Sequence, residues 1–250
     1  MLCELMKKQR LTENVYDFTV CCPEMAKKTK PGQFLHILCG GDAYLRRPIS
    51  ICEVLEGKYL RFIFETRGKG TEALAQYKVG EKLDILGPLG NGFTLCPEDN
   101  DAVLLIGGGI GVFPLLQLAK ELKGKATVVL GFRNKEAIML AEEFRKVSKN
   151  VFIATDDGSC GFHGFVTDVM KNIVDSNPVS RVYTCGPTPM MQRVAEIAID
   201  ANIPVQVSLE ERMGCGVGAC VTCTCKVNGS NKRVCKDGPV FDGREVEWRG

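Results

Sequence analysis

Four cysteines near the C-terminus have a spacing that suits the binding of a redox metal cluster. Cys215, Cys220 and Cys223 follow the pattern C-x4-C-x2-C, and Cys235 comes eleven intervening residues later. This is the ligand spacing of plant-type [2Fe–2S] clusters, which are held by four cysteine thiolates. Because such a cluster exchanges one electron at a time, the spacing predicts a chain that transfers single electrons.

The residues around these cysteines support the same prediction. Gly216 and Gly218 can adopt positive φ angles and direct backbone N–H groups at sulfur. The alternatives are a zinc knuckle or buried thiols, but structural zinc usually takes two separate C-x2-4-C pairs, and one such pair is obvious here. Cys225 would face the same side of a predicted strand as Cys223. It lies outside the ligand spacing, so we do not expect it to bind the cluster.

A glycine-rich run in the middle of the chain lies between a predicted strand and a predicted helix. The run at 107–111, G-G-G-I-G, would let a pyrophosphate approach the backbone and a helix N-terminus, although it also fits an ordinary tight turn. Two further loops, at 155–159 and 184–187, also follow predicted strands. All three should meet at the carboxyl edge of an open sheet, where α/β proteins bind ligands. The predicted nucleotide-binding residues are Gly107, Gly108, Gly109, Gly111, Asp156, Cys185, Gly186 and Pro187.

A basic segment in the first third of the chain has the groups needed to bind a diphosphate. Arg47 could donate to two phosphate oxygens, Pro48 fixes the local backbone, and Ser50 offers a hydroxyl to a ring nitrogen or carbonyl. Gly70 and Thr71 open a short predicted helix that would form a second phosphate cradle. The segment alone fits equally well a solvated basic turn followed by a capped helix.

Residues 1–97 have the pattern of a β domain. Short apolar or alternating runs recur at regular spacing and are separated by turn residues, which predicts a closed antiparallel β-barrel with one short helix at 71–77. The barrel is expected to end in the motif G-P-L-G-N-G at 87–92, followed by a linker at 96–100. The predicted strands are 15–21, 33–38, 49–54, 60–64 and 82–86.

Residues 98–208 have a different pattern, in which compact apolar strands alternate with amphipathic helices. This alternation predicts a doubly wound parallel sheet. Residues 209–250 form the small C-terminal module that carries the cysteines. The predicted strands are 102–106, 126–130, 151–154, 181–184 and 205–208, and the predicted helices are 112–122, 135–146, 165–174 and 188–201.

The composition excludes some classes of partner and location. The 250 residues carry a formal net charge of +2, from 32 basic and 30 acidic side chains, which gives no electrostatic case for binding nucleic acid or an anionic membrane. We expect neither a signal peptide nor a transmembrane helix. Cysteines in apolar runs, such as Cys21, Cys22, Cys39 and Cys52, are interpreted as buried thiols, so the sequence predicts a cytoplasmic protein.

The order of these motifs resembles a known family. The segment R-x-x-S followed by G-G-G-x-G and C-G-P resembles the ferredoxin–NADP reductase superfamily over residues 1 to about 208. With G-P-L-G-N-G, E-R-M at 211–213 and the cysteines, the whole chain resembles the electron transfer subunits of B-type dihydroorotate dehydrogenases. The resemblance implies that FAD is bound by Arg47, Pro48, Ile49, Ser50, Ile63, Phe64, Glu65, Gly70 and Thr71, and the cluster by Cys215, Cys220, Cys223 and Cys235.

The resemblance also implies an activity and a partner. In that family a separate FMN-bearing catalytic subunit oxidises dihydroorotate, and electrons pass from FMN through the cluster to FAD and then to NAD+, in a heterotetramer with two copies of each chain. FAD belongs between the cluster and NAD because a flavin exchanges both hydrides and single electrons. Ser50, facing the flavin ring, and Cys185, beside the nicotinamide, are the implied catalytic positions. Cys185 could instead be a buried thiol at a strand end.

Two other functions remain compatible with these motifs. The first is a flavin and iron–sulfur subunit of a related complex, such as a sulfhydrogenase or a ferredoxin:NADP oxidoreductase, which the identity of the partner would distinguish. The second is a redox sensor whose cluster reports oxidation. Fast reduction of the flavin by NADH would exclude the sensor.

Overall fold

The computed structural model describes residues 1–41, 43–95 and 102–248. The chain forms two compact units, which we call the barrel unit and the sheet unit. The barrel unit comprises Met1–Gly92, Glu210–Cys225 and Lys232–Pro239, and the sheet unit comprises Phe93–Leu209, Lys226–Asn231 and Val240–Gly250. The predicted linker at 96–100 lies outside the described residues. The division into domains at 1–97, 98–208 and 209–250 stays a prediction.

The described residues among the first 92 form six antiparallel strands and two short helices of the barrel unit. Their bounds are β1 (Leu2–Arg10), β2 (Val15–Cys21), α1 (Pro23–Ala26), β3 (Phe34–Leu38), β4 (Arg47–Leu55), β5 (Tyr59–Glu65), α2 (Lys69–Leu74) and β6 (Lys82–Leu89). The strands close into a barrel in the order β1-β2-β5-β4-β3-β6, with β1 paired to β6. This confirms the predicted antiparallel barrel.

Aromatic side chains fill much of the barrel interior. Phe18 and Phe62 are fully buried, and the Phe18 ring meets the Phe64 ring edge-on at a centroid distance of 5.1 Å. The Tyr16 ring stacks on the Phe64 ring at a centroid distance of 5.8 Å. Such pairs favour edge-to-face or offset geometry and add about 0.5–1.5 kcal/mol beyond the area they bury. These contacts hold β2 and β5 together.

A buried ionic group links three strands of the barrel. Arg61 on β5 donates from Nη2 to Asp17 on β2 at 2.8 Å and from Nη1 to Glu53 on β4 at 3.1 Å. Asp17 and Glu53 are both buried. A buried carboxylate has lost its hydrogen bonds to water, so the Arg61 guanidinium compensates for the burial of both acids.

The cysteines of the barrel differ in part from the sequence interpretation. Cys39 is buried, and burial raises the pKa of its thiol to about 11. Cys22, however, forms a disulfide with Cys3 on β1, with their Cα atoms 5.6 Å apart. The interpretation of Cys22 as a thiol was therefore wrong. Its partner lies on a strand that the hydrophobic pattern did not reveal.

The sheet unit is built on seven strands. Its elements are β7 (Val103–Gly108), α3 (Leu115–Glu121), β8 (Ala126–Phe132), α4 (Ala141–Val147), β9 (Asn150–Thr155), β10 (Phe162–His163), α5 (Val166–Ser176), β11 (Arg181–Cys185), α6 (Thr188–Asp200) and β12 (Val205–Ser208). After the hairpin β13 (Thr224–Val227) and β14 (Ser230–Arg233), strand β15 (Val240–Asp242) completes the sheet.

The topology of this sheet brings the predicted loops to one edge. The strand order is β10-β9-β8-β7-β11-β12-β15, and all pairs are parallel except the pair of β12 with β15. This confirms the predicted parallel sheet, with an antiparallel edge strand that was not predicted. Among the residues that the structure describes, no helix has the length and hydrophobicity that crossing a membrane requires.

Candidate cofactor-binding sites

The four predicted cluster ligands lie in the barrel unit as two pairs of cysteines. The N–H of Cys215 donates to Cys220 Sγ at 3.3 Å, and the N–H of Cys235 donates to Cys223 Sγ at 3.4 Å. Within residues 1–41, 43–95 and 102–248, no three His, Cys, Asp or Glu side chains converge on a position for a single metal ion. Two thiolates at each of two irons is the arrangement of a [2Fe–2S] cluster, so this pairing fits that cluster better than one tetrahedral zinc.

The segment 215–223, which we call the cysteine loop, directs backbone N–H groups at cysteine sulfur atoms. Gly218 donates to Cys235 Sγ at 3.1 Å. Three more N–H groups donate to Cys215 Sγ at 3.2–3.4 Å, those of Val217, Ala219 and Cys220. Hydrogen bonds of this kind stabilise thiolate sulfur and help to set the potential of a bound cluster. The loop therefore has the donor set that a cysteine-bound cluster needs.

Cys220 and Cys235, one cysteine from each pair, differ in acidity. The hydroxyl of Thr222, which donates to Cys220 Sγ at 3.2 Å, followed by the Thr222 backbone N–H, lowers the pKa of Cys220 to about 6. Burial, and then the neighbouring Cys223 thiol, raises the pKa of Cys235 to about 12. Because metal ligands bind as thiolates, binding of iron would displace a proton from the buried Cys235.

Gly216 and Gly218 are required by packing inside the barrel unit. Both are buried and have positive φ angles of 72° and 84°. A Cβ atom on Gly216 would lie 2.4 Å from Nδ1 of His36, and one on Gly218 would lie 2.6 Å from Cδ of Lys236. These contacts place His36, which the sequence analysis did not single out, against the cysteine loop.

The motif G-P-L-G-N-G at 87–92 binds the segment that follows Cys235. The side-chain amide of Asn91 donates to the carbonyl oxygens of Lys236 and Asp237 at 3.1 and 3.0 Å. The Asn91 backbone N–H donates to Gly238 O at 2.6 Å. The sequence analysis interpreted this motif only as the end of the barrel and as part of the family resemblance, whereas the structure connects it to the segment that follows the fourth cysteine.

The structure brings the predicted diphosphate-binding residues together. Arg47 begins β4, and its guanidinium lies against Gly70, so that a Cβ atom on Gly70 would be 2.7 Å from Arg47 Nε. Thr71 Oγ1 accepts from the N–H of Arg67 at 2.9 Å and donates to Gly68 O at 3.1 Å. A positive side chain beside a glycine-lined turn is suited to a diphosphate.

The other predicted flavin-binding residues lie on β4 and β5 in different environments. Pro48, Ile49 and Ser50 are half-buried. The ring of Phe64 lies in the barrel core, which leaves only its main chain for a flavin. Ile63 is buried, whereas Glu65 is half-buried and accepts from Asn14 Nδ2 at 2.9 Å. Their contacts with FAD stay predictions.

Two of the three predicted nucleotide-binding loops are in direct contact. Cys185 on β11 pairs with Gly107 on β7, and a Cβ atom on Gly111 would lie 2.5 Å from Cys185 O. A Cβ atom on Gly108 would lie 3.0 Å from Pro187 Cδ. Asp156 follows β9, which β8 separates from β7, so it lies at the same edge but farther along it. The carboxyl edge of the sheet thus carries all eight predicted residues.

Comparison with known proteins identifies the family. The family model for the iron-sulfur cluster binding domain of dihydroorotate dehydrogenase B matches residues 210–247, and that for the oxidoreductase NAD-binding domain matches residues 105–196. The electron transfer subunit of dihydroorotate dehydrogenase B (NAD(+)) from Desulforamulus reducens is 45% identical, over 94% of this chain and 93% of the relative. The same subunit from Geobacillus kaustophilus is 47% identical over 95% of each. The chain belongs to this family of electron transfer subunits.

Solved structures share the fold of this chain. The chain in the structure of an NADH-dependent reduced ferredoxin-NADP oxidoreductase superposes with a TM-score of 0.89 at 35% identity, over 99% of this chain and 90% of that chain. A ferredoxin NADP+ reductase from Neisseria gonorrhoeae has a TM-score of 0.66 at 16% identity, over 80% of this chain and 91% of that chain, and shows the fold alone. FAD, a [2Fe–2S] cluster and NAD are the cofactors that these findings support for an oxidoreductase subunit of this family. An electron transfer subunit works with a catalytic partner.

Proposed function

We propose that the chain passes electrons from the FMN of a dihydroorotate-oxidising catalytic subunit to NAD+, in pyrimidine biosynthesis. The observation that carries this proposal is that one compact unit holds both the paired cysteines and the strand β4 with Arg47. The curated relatives, which are 45–47% identical, are named for the same task. A one-electron site and a flavin strand in a single unit are what an electron relay requires.

The residues of the chain divide the work. Arg47 with Gly70 and Thr71 holds the FAD diphosphate, and Ser50 faces the flavin ring. Gly107, Gly108 and Gly111 bring the nucleotide close to the backbone, and Cys185 borders the nicotinamide. The four cysteines hold the cluster. A bound flavin supplies the exchange between hydrides and single electrons that joins the two ends.

The exposed surface of the cysteine loop supports docking of the catalytic subunit on this loop. Val217 and Val221 are 49% and 62% exposed, and Ala219 is also exposed. Apolar side chains left in water beside a redox site are typical of an interface. Gly216 and Gly218, by contrast, are buried, and internal packing explains them. A heterotetramer with two copies of each chain, a cytoplasmic location and the lack of nucleic-acid or membrane binding remain predictions.

A charge on this surface tests the docking. Ala219→Arg should weaken assembly with the FMN-bearing subunit, since a buried unpaired charge is costly, and should leave NADH-dependent dye reduction unchanged. Ala201→Arg, at another exposed alanine, is the matched control. Size-exclusion chromatography of the mixed subunits measures assembly. Equal assembly of the two variants would contradict this interface.

The loop after β9 supports a preference for NADH over NADPH. The N–H of Asp157 donates to Arg133 O at 3.3 Å, so an acidic residue lies beside the arginine that could bind a 2′-phosphate. Hydrogen bonds from the Ser159 hydroxyl and N–H lower the pKa of Asp157 and keep it ionised. A negative carboxylate there opposes a 2′-phosphate. Comparable kcat/KM values for NADH and NADPH would contradict this preference.

A second candidate function is a subunit of a ferredoxin-dependent complex. The solved chain of the NADH-dependent reduced ferredoxin-NADP oxidoreductase covers nearly this whole chain at 35% identity. The higher identity of the dihydroorotate dehydrogenase subunits favours the first function. Reduction of NAD+ by reduced ferredoxin in the native complex, without turnover of dihydroorotate, would favour the second.

The proposal assigns dihydroorotate oxidation to the FMN-bearing subunit and NAD+ reduction to this chain, and assays of the separate subunits test this assignment. The isolated chain, loaded with FAD and cluster, should reduce dyes with NADH and should not oxidise dihydroorotate. Addition of the FMN-bearing subunit should give dihydroorotate-dependent reduction of NAD+. Oxidation of dihydroorotate by the isolated chain would overturn the proposal.

A further inference from the structure

His36 is a buried imidazole whose polar atoms are not satisfied by the protein. His36 is 1% exposed, and among the described residues neither Nδ1 nor Nε2 of its ring has a hydrogen-bond partner. Buried polar side chains are hydrogen-bonded in the large majority of cases, because an unpaired one loses its bonds to water without compensation. Backbone oxygens of Arg46 and Cys215 lie near the ring, but neither forms a hydrogen bond of normal geometry with it, so both nitrogens remain open to a partner outside the polypeptide.

The position of His36 on its strand points the ring away from the barrel interior. Leu35 and Ile37 on either side belong to the barrel core. Because side chains alternate along a strand, His36 faces the opposite side. Its Nδ1 lies 2.4 Å from where a Cβ atom on Gly216 would be. The ring is thus buried under the cysteine loop, next to the residue that follows Cys215.

The neighbouring polar groups do not account for the ring. The guanidinium of Arg46 is bound to Asp84 at 2.6 Å, and its contact with His36 is to the backbone oxygen. The N–H groups of the cysteine loop at 217–220 are directed at sulfur. The group that this loop is built to hold is the remaining partner for the imidazole.

We propose that the imidazole of His36 donates a hydrogen bond to the [2Fe–2S] cluster and thereby raises its reduction potential. This inference rests on the proposed cysteine ligands. A donor near the cluster stabilises the additional negative charge of the reduced state, and hydrogen bonds to cluster sulfur set its potential. His36 also pairs across the sheet with Pro48 on β4, the predicted flavin strand. Strand β3, which pairs with the predicted flavin strand, would then also supply a hydrogen-bond donor to the cluster.

The small number of histidines allows a direct spectroscopic test. The chain has two, His36 and His163, and His163 is exposed on β10. In protein labelled with ¹⁵N-histidine, pulsed EPR of the reduced cluster should detect coupling to ¹⁵N. His36→Phe should lose this coupling, and the matched control His163→Phe should keep it. A wild-type cluster without ¹⁵N coupling would overturn this inference alone, whereas a wild-type chain that binds no cluster would overturn the proposed ligands.

The potential gives an independent readout. In an EPR-monitored redox titration, His36→Phe should make reduction of the cluster about tenfold less favourable, which is a shift of about 59 mV for one electron. His36→Gln keeps a side-chain N–H and should recover most of the shift. An unchanged potential in His36→Phe would overturn the inference. If His36→Phe lost the cluster, a His36→Gln protein with the wild-type potential would support it, and loss of the cluster in both would overturn it.

Discussion

Cys235 and Cys225 are both buried cysteines of the C-terminal segment, and the structure gives them different surroundings. Cys235 Sγ accepts from Gly218 N–H and is paired with Cys223, whereas Cys225 lies on β13. We predict that Cys235→Ser loses most of the visible absorbance and iron of the cluster, while Cys225→Ser keeps both. Iron analysis with absorbance spectra measures this, and the reverse result would contradict the ligand assignment.

Arg47 is predicted to supply much of the affinity for FAD. Removal of a bidentate, charge-assisted contact to a diphosphate in Arg47→Ala should cost about 2–3 kcal/mol, which is roughly a thirty- to hundredfold loss in affinity. Fluorescence titration of the apoprotein with FAD measures it. Equal affinity in the variant and the wild type would show that Arg47 does not bind the diphosphate.

The contact between Gly70 and Arg47 gives a second test of the same site. A methyl group in Gly70→Ala would displace the flexible guanidinium and should weaken FAD binding about tenfold. Gly68→Ala is the control, because its φ of 164° is ordinary extended backbone and no described atom lies within 4 Å of the added methyl. Similar FAD affinities for the two variants would argue against this geometry.

At the residue scale, spacing was informative where the chemistry is local and failed where it depends on a distant contact. The pattern C-x4-C-x2-C predicts the ligands because a cluster imposes its own spacing on a loop, and the cluster-binding family model matches the segment that contains it. His36 has no local motif, since its surroundings are created by contact with Gly216. Asn91 is similar, because its role depends on the backbone that follows Cys235.

At the scale of the elements, the buried ionic group of Arg61, Asp17 and Glu53 should be the polar contact of the barrel whose loss lowers the free energy of unfolding most. Arg61→Leu leaves Asp17 and Glu53 buried without their shared cation, which should lower the free energy of unfolding by about 3–5 kcal/mol. Arg145→Leu, which removes an exposed pair with Glu142 on α4, should cost less than about 1 kcal/mol. Urea unfolding followed by circular dichroism compares them. Equal losses would refute a special role for the buried group.

The elements that the sequence missed have weak or interrupted patterns. Strand β1 buries only Cys3 and Leu5 of its nine residues, so its apolar alternation is short. Of the helix predicted at 135–146, the first three residues form a 3₁₀ helix that ends at the extended Ile138, and α4 begins only after Leu140, whose φ of 59° is left-handed. Tertiary contacts decide such positions, and local pattern does not record them.

At the scale of the whole molecule, the order of barrel, parallel sheet and cysteine segment could be predicted because each has its own hydrophobic period. The course of the C-terminal segment could not. Its residues are divided between the barrel unit and the sheet unit, with Lys232–Pro239 in the first and Val240–Gly250 in the second. Strand β15 joins the sheet by pairing with β12. This long-range contact cannot be predicted from the hydrophobic pattern of a short segment.

The central claim is that electrons from dihydroorotate reach NAD+ through the cluster held by the four cysteines. The most direct test compares two activities of the complex formed with the FMN-bearing subunit, using wild-type chain and Cys235→Ser, with intact assembly checked by size-exclusion chromatography. We predict that the variant complex still reduces dyes with dihydroorotate, since that reaction belongs to the partner, and loses dihydroorotate-dependent reduction of NAD+. Reduction of NAD+ at the wild-type rate by a variant complex that contains no cluster would contradict the account.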